Sequence, residues 1–305
     1  METEKGGIKE QIPRVLKLSD RVKERIMKNG RQFVTAILAV IMLAGIAQAK
    51  PWADEWAQRY LSEDEKAQDT RTDLAVTATV AAVSEYIWRG FDMLNDHGAI
   101  QPSVNVDWYG TGISTTVWYS TALKEHMSDT QEMRYIVGYT DCLWGDTLHA
   151  TKYTVNWIYY DFVSMPSTER DAEEIGAQLS WPRVLMFGDS RFVPSYYVGK
   201  LWPAKSTIAN KDQEGWIHIF GLDYEFWVFG IGVEKQVAFL SAEAVYNDGM
   251  LVADHKWSDV VFGAGTNWRD GAMTVRPEVK YQVSLDDKVN RENELWGEIS
   301  ISFKF

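Results

Sequence analysis

Glu294-Leu295-Trp296-Gly297-Glu298-Ile299-Ser300-Ile301-Ser302-Phe303-Lys304-Phe305 is the stretch from which the rest of the chain can be read. Its odd positions are apolar or small: Leu295, Gly297, Ile299, Ile301, Phe303 and Phe305. Its even positions, Trp296, Glu298, Ser300, Ser302 and Lys304, are mostly polar. Side chains on a β-strand point to alternate faces, so this segment forms a strand with one greasy and one wet face. Many soluble strands alternate in the same way, so the fold depends on what lies upstream.

From Leu74 onward the chain reads as about twelve such segments, each near the length of a tilted strand that crosses a bilayer. Two are clean. Ile100, Pro102, Val104, Val106 and Trp108 alternate with polar neighbours and a terminal Tyr109, and so do Met273, Val275, Pro277, Val279, Tyr281 and Val283. The connections fall into two classes. Tyr109–Gly112, Cys142–Asp146 and Trp268–Gly271 are short, whereas Gly90–Gly98, Lys124–Thr130, Asp161–Asp171, Trp202–Gln213, Asn247–His255 and Leu285–Asn293 are long and polar. Short turns at one end and long loops at the other are the pattern of a transmembrane barrel. Pro182–Ser190 is long for the short-turn side. Phe226–Val233 is too apolar for a free loop, so the eighth and ninth strands are expected to run into it.

Fourteen Trp and fourteen Tyr are many for a soluble domain. They gather near strand ends: Tyr86 and Trp88, Trp108 and Tyr109, Trp118 and Tyr119, Trp157, Tyr159 and Tyr160, Trp181, Trp257, Trp268 and Trp296. Such a distribution predicts aromatic girdles at the lipid headgroups. In hydrocarbon an unpaired backbone group costs several kcal/mol, so the sheet must close. The expected fold is therefore all-β: an antiparallel up-and-down transmembrane β-barrel of about twelve strands over residues 73–305, with Leu74–Arg89 zipped to Glu294–Phe305.

The N-terminal region reads as an export signal. Phe33 to Ala47 are fifteen uncharged residues, preceded by Lys28 and Arg31 and followed by the small-residue site Ala47-Gln48-Ala49. The run is too short for a transmembrane helix, which needs eighteen or more residues. Residues 1–49 are read as a signal peptide, with 1–26 an extension from an upstream start and Met27 a conventional opening. Residues 50–72, with Trp52, Trp56 and Tyr60 four apart, are read as a periplasmic lead-in. The first 49 residues hold nine Lys/Arg and five Asp/Glu, so 22 of the 31 basic and 38 of the 43 acidic residues remain in the mature chain. That acidic balance disfavours a nucleic-acid partner.

Several phrases carry a family likeness: Ser84-Glu85-Tyr86-Ile87-Trp88-Arg89-Gly90, Ala242-Glu243-Ala244-Val245-Tyr246-Asn247-Asp248-Gly249, and Pro277 through Tyr281-Gln282-Val283-Ser284-Leu285-Asp286-Asp287 to Val289-Asn290 and Leu295-Trp296-Gly297. Over roughly residues 75–305 the chain resembles the Gcw-chp or TorF-like family of bacterial outer-membrane proteins. The resemblance implies an outer-membrane location and a barrel fold. It carries over no substrate and no catalytic residue.

The sharper enzymatic patterns are missing: the sequence has no GxSxG, HExxH, CxxC or P-loop. Gly230-Ile231-Gly232 follows no βαβ pattern. Five scattered His residues, at 97, 126, 149, 218 and 255, suggest no metal site. The single Cys142 has no partner for a disulfide and reads as a small residue in a turn. His149 and His218 have Ser and Thr nearby, the only hint of a phospholipase-like barrel, and nothing marks a nucleophile and its base. No catalytic residue, cofactor or metal is assigned.

The charged residues within strands are the informative ones. Facing lipid near the midplane, an Arg or Lys would cost about 2–4 kcal/mol. Glu85, Arg89, Asp107, Glu132, Arg134, Lys152, Glu174, Arg191, Asp223, Glu243, Arg276, Glu278, Lys280, Glu298 and Lys304 are therefore expected to line the lumen. They would either form a polar pathway or pair across strands and fill the interior. The expected partners are outer-membrane lipid, the barrel-assembly machinery through the last strand with Phe305 as its signal, and a small hydrophilic solute. The expected function is a passive porin-like channel in the outer membrane. The alternatives are a non-conducting structural or adhesion barrel with partner-binding outer loops and, more remotely, a phospholipase-like enzyme. N-terminal sequencing of the exported protein should give Lys50 as its first residue; an intact leader on the mature protein would refute the signal-peptide reading.

Overall fold

The computed structural model describes residues 74–305 apart from 125–130, 164, 169, 189, 209 and 229–234. The expected signal peptide and lead-in lie outside the described residues. Strands follow in the order β1 (Ala75–Val83), β2 (Ile87–Trp88), β3 (Phe91–Asp92), β4 (Ala99–Asp107), β5 (Ile113–Ala122), β6 (Glu132–Leu143), β7 (Thr151–Asp161), β8 (Ala172–Ser180), β9 (Leu185–Phe187), β10 (Ser190–Pro203), β11 (Gly215–Val228), β12 (Lys235–Asp248), β13 (His255–Asp270), β14 (Met273–Ser284) and β15 (Glu294–Lys304). Leaving out β2, β3 and β9, each strand pairs antiparallel with the next in sequence, and β15 returns to β1. The sheet thus closes as a barrel of twelve strands.

The seam runs from Thr77 opposite Lys304 to Val83 opposite Glu298. Beyond it, the Phe305 amide donates to the Val76 carbonyl at 2.8 Å and the Val76 amide to the Phe305 carbonyl at 3.3 Å. The last residue is therefore held by its backbone while its ring stays exposed. Strand parity is consistent around the barrel. Val80, Val104, Val117, Val137, Ile175, Phe220, Val279 and Ile301 all share the outward parity and are 42–55% exposed, an apolar band that only lipid can cover. Leu295, Ile299, Ile301 and Phe303 face outward, as the alternation of the last strand predicts.

One end of the barrel carries the start of β1, the end of β15 and the tight connections 108–112 and 271–272. The other carries the longer connections 84–98, 162–171, 204–214, 249–254 and 285–293. Several boundaries differ from expectation. Cys142 lies in β6 rather than in a turn, because its strand runs on to Leu143 and pairs with Thr151. The segment 181–189 is long because β9 folds back on the first residues of β10. Phe226–Val228 extend β11, and the turn beyond lies outside the described residues.

The largest correction concerns the end of the first strand. It leaves the wall at Val83 rather than at Arg89, where the Ser84 amide donates to the Gly297 carbonyl and the Gly297 amide to Ser84 Oγ, both at 2.8 Å. The residues after it turn into the interior. The aromatics expected in girdles divide between the two faces. Trp108, Tyr119, Trp157, Tyr159, Trp257 and Trp268 face outward and Tyr109 is exposed in the turn after β4, but Tyr86, Trp88, Trp118, Tyr160 and Trp296 lie inside, where they pack around charged groups.

Val80→Arg would place a guanidinium in the middle of the lipid-facing band. It should cost about 2–4 kcal/mol of folding free energy in vesicles, read from urea titrations followed by Trp fluorescence. An unchanged midpoint would show that this face does not meet hydrocarbon.

Candidate functional site

The interior is organised by the segment between β1 and β4. Ile87 pairs with Asp92 and Trp88 with Phe91, which leaves Arg89 and Gly90 as a two-residue turn. Both have positive φ, 52° and 91°, as a type I′ hairpin turn requires. Glycine is needed at the second position on two grounds. Its φ disfavours other residues, and a β-carbon there would sit 2.8 Å from a Val289 methyl and would also strike the Asp259 carboxylate.

This hairpin is docked across the long-loop end of the barrel. At its tip, Arg89 makes a bidentate contact with Glu174 on β8, Nη2 to Oε1 at 2.6 Å and Nη1 to Oε2 at 2.8 Å. Tyr160 donates to Oε2 of the same carboxylate at 2.7 Å, and the Tyr197 hydroxyl donates to Oε1. The Glu174 side chain is fully buried and that of Arg89 is 10% exposed. Gly176 and Gly199, paired across β8 and β10, open the niche, because a β-carbon on either would collide with Tyr197 or Glu174. The Gly90 carbonyl accepts from Gln282 Nε2 on the opposite wall at 2.9 Å.

A second anchor lies at the hairpin's base. The Tyr86 hydroxyl donates to Glu132 Oε2 at 3.1 Å and accepts from Arg134, which also reaches Glu132 Oε1 at 2.5 Å. The Arg134 guanidinium lies 4.3, 4.9 and 5.3 Å from the ring centres of Trp118, Tyr160 and Trp88. Stacking on rings satisfies the face of a planar cation while its edge hydrogen-bonds. Apolar contacts complete the seal: Trp88 and Phe91 pack against the cluster of Ile158, Tyr160, Leu201, Ile217, Val245 and Met250.

Beneath the hairpin the interior is polar and asymmetric. The wall formed by β4 to β7 carries, besides Asp107 and Lys152, neutral groups that pair with one another, such as Asn105 with Thr116 at 2.8 Å and Thr140 with Thr154 at 2.9 Å. The wall from β10 to β15 is charged. Arg191 pairs with Glu225 at 2.7 Å, and Glu278 lies 3.3 Å from Arg276 and 3.5 Å from Lys280, which is 3.8 Å from Glu298. Arg276 is 45% exposed, so water reaches this level.

Asp107, Glu132, Arg134, Lys152, Glu174, Arg191, Asp223, Glu243, Arg276, Glu278, Lys280, Glu298 and Lys304 all have inward parity, as expected from the cost of placing them against lipid. Glu85 and Arg89 differ from that expectation: they belong to the inward segment and not to the first strand, because the chain bends at Ser84. The interior roles of Tyr86, Trp88, Tyr160 and Tyr197 were missed in the sequence. A turn signal was available, since aromatic and apolar residues flank Arg89-Gly90 on both sides.

At the rim, Asp92, Asp96 and Glu294 bring carboxylate oxygens within 4.8 Å of one another. Asp92 already accepts the Leu94 and Asp96 amides, a loop-capping role. Outside the wall, hydrogen bonds from Lys288 and then Lys256 hold the exposed Asp254 carboxyl below its ordinary range. A depressed acid favours the folded loops above its ordinary pKa, and that contribution fades as pH falls through the lowered value. Of the histidines, His218 faces outward and shares a hydrogen with the Tyr196 hydroxyl at 2.7 Å, while the nearby Ser195 faces inward.

No family model and no curated protein matches the chain. Among solved structures it is similar to the KdgM porin, with 8% identity over 75% of this chain and 99% of that one and a TM-score of 0.47. It is similar also to the NanC porin (12%, 76% and 100%, 0.46) and to LpxR from Salmonella typhimurium (7%, 74% and 99%, 0.49). The fold assignment rests on the chain's own strand register.

Removing one partner of a buried ion pair leaves an uncompensated charge and costs about 3–5 kcal/mol. Glu174→Ala should therefore undock the hairpin. Hydrogen exchange of peptides across 84–98 should speed up markedly while the wall strands stay protected. Unchanged protection of 84–98 would show that Arg89 and Glu174 do not hold it.

Proposed function

We propose that the protein is an outer-membrane channel for small hydrophilic solutes whose outer mouth is closed by its own hairpin. One observation carries this reading: beneath the hairpin, a barrel with an apolar exterior encloses a hydrated inner face lined by charges of both signs. A barrel with no passage to provide could fill this level with packed side chains. In this reading the export signal directs the chain through the inner membrane, Glu294–Phe305 engages the assembly machinery, and the segment 84–98 controls access from outside. No bond-making step is assigned to any residue.

A second reading, a non-conducting barrel with structural or adhesive loops, is favoured by the packing of Trp88 and Phe91 into the mouth. The two readings separate in planar bilayers. In the channel reading, replacing Ile87–Asp92 by a Gly-Ser segment of equal length should raise unit conductance or open probability several-fold over the intact chain. Silence of both forms, after heat-modifiable migration has shown that each is folded, would leave the non-conducting barrel.

A further inference from the structure

Three carboxylates on the charged wall form no ion pair among the described residues. Asp223 on β11 is paired in register with Ser241, and Glu243 lies two residues further along β12 on the same inward face. Asp259 stands diagonally across from Glu243 on β13, on the inward parity of Val261 and Gly263 and just before the bulge at Val245/Tyr246 that leaves Ser258 without a register partner. Diagonal neighbours on one face of a sheet lie about 7–8 Å apart. Asp223, Glu243 and Asp259 therefore form a line that climbs the inner wall from mid-barrel to the underside of Gly90.

Neither Asp223 nor Glu243 has an ion pair or hydrogen bond among the described residues, and Asp259 hydrogen-bonds only to Ser258, through Oδ2 at 2.7 Å. The basic groups facing them are engaged elsewhere: Arg276 and Lys280 with Glu278, Lys280 also with Glu298, and Arg191 with Glu225.

A separate observation points to a ligand at the top of this line. Asp259 and Gln282 are fully buried, yet Asp259 Oδ1 and Gln282 Oε1 have no hydrogen-bond partner among the described residues. Both residues converge on Gly90, Gln282 through its bond to the carbonyl and Asp259 through a carboxylate that leaves no room for a β-carbon there. A buried carboxylate without a counter-charge is costly. Vacant oxygens of a carboxylate and a carboxamide beside a backbone carbonyl are oxygen donors of the kind that suit a hard cation.

We infer that the channel conducts cations in preference to anions, and that Asp223, Glu243 and Asp259 form the track along which a small monovalent cation passes towards the hairpin tip. This rests on the channel reading above. A line of fixed negative charges lowers the energy of a cation at successive positions and raises that of an anion, with each position shallow enough to leave. Asp223 and Glu243 are specificity-determining in this sense, and Asp259 with Gln282 forms the terminal station under the hairpin.

The test is the zero-current potential of the mature full-length protein in a planar bilayer under a KCl gradient, measured on the intact chain and on the form with the loosened hairpin. K+ should be favoured over Cl− about fivefold or more, equivalent to about 1 kcal/mol, the contact energy of one fixed charge in water. D223N/E243Q, checked for folding by heat-modifiable migration, should bring the ratio towards unity. Current without cation preference in the unsubstituted protein, a measurement that needs no variant, overturns the inference and leaves the channel reading standing. A preference that survives D223N/E243Q overturns the assignment of these residues. Absence of current in both forms ends the channel reading and this inference with it.

Discussion

Every backbone N–H and C=O that enters hydrocarbon must find a partner within the protein, and this requirement underlies the rest of the structure. An open sheet of twelve strands would leave two unpaired edges in lipid. The seven register pairs between β1 and β15 remove both at once. The side-chain arrangement follows from that closure. Once the sheet is a cylinder, strand parity has only two meanings, lipid or interior, and each ionisable side chain of a membrane-crossing strand is assigned by its solvation cost.

The interior is solved differently at its two ends. Towards the short turns it stays wet and charged, with Arg276 open to water beside Glu278 and Arg191 paired with Glu225. Near the long loops it is dry, and the hairpin supplies side chains that a twelve-stranded wall cannot bring to its own axis. Trp88 and Phe91 fill the space, while the two arginines, Arg89 and Arg134, are desolvated only because each meets a carboxylate and aromatic rings together. Burying a guanidinium in any other way would undo the packing gain.

Which parts of this were legible in the sequence follows from the physics. Lipid exposure imposes a strict period of two, so the alternation of Glu294–Phe305 and Met273–Ser284, the closing partner and the inward side of residues such as Glu132, Glu174 and Glu278 could all be read directly. The interior hairpin could not, because a buried segment and a solvated loop use the same turn residues. Tyr86-Ile87-Trp88 continues the aromatic texture of a strand end. Trp118, Tyr160 and Trp296 failed as girdle residues for a related reason: an aromatic at a strand end satisfies a headgroup or an arginine equally well, and composition does not say which. Asp259 illustrates a third limit. It shares the inward parity of Val261 and Gly263, but the bulge at Ser258 turns Trp257 outward, and a bulge changes parity without leaving a mark in a periodic pattern, so the start of β13 did not show where Asp259 points.

The hairpin's position in the chain has a consequence for how the mouth behaves over time. It is tied at both ends, to β1 and to β4, by only a few residues on either side. A stopper on so short a double tether stays at high effective concentration next to its seat. It cannot be diluted away, titrated out or lost to another copy, and its return after an excursion depends on chain motion and not on encounter. Only something that occupies the seat more favourably than Arg89, or binds the displaced hairpin, can keep it away from that seat for long.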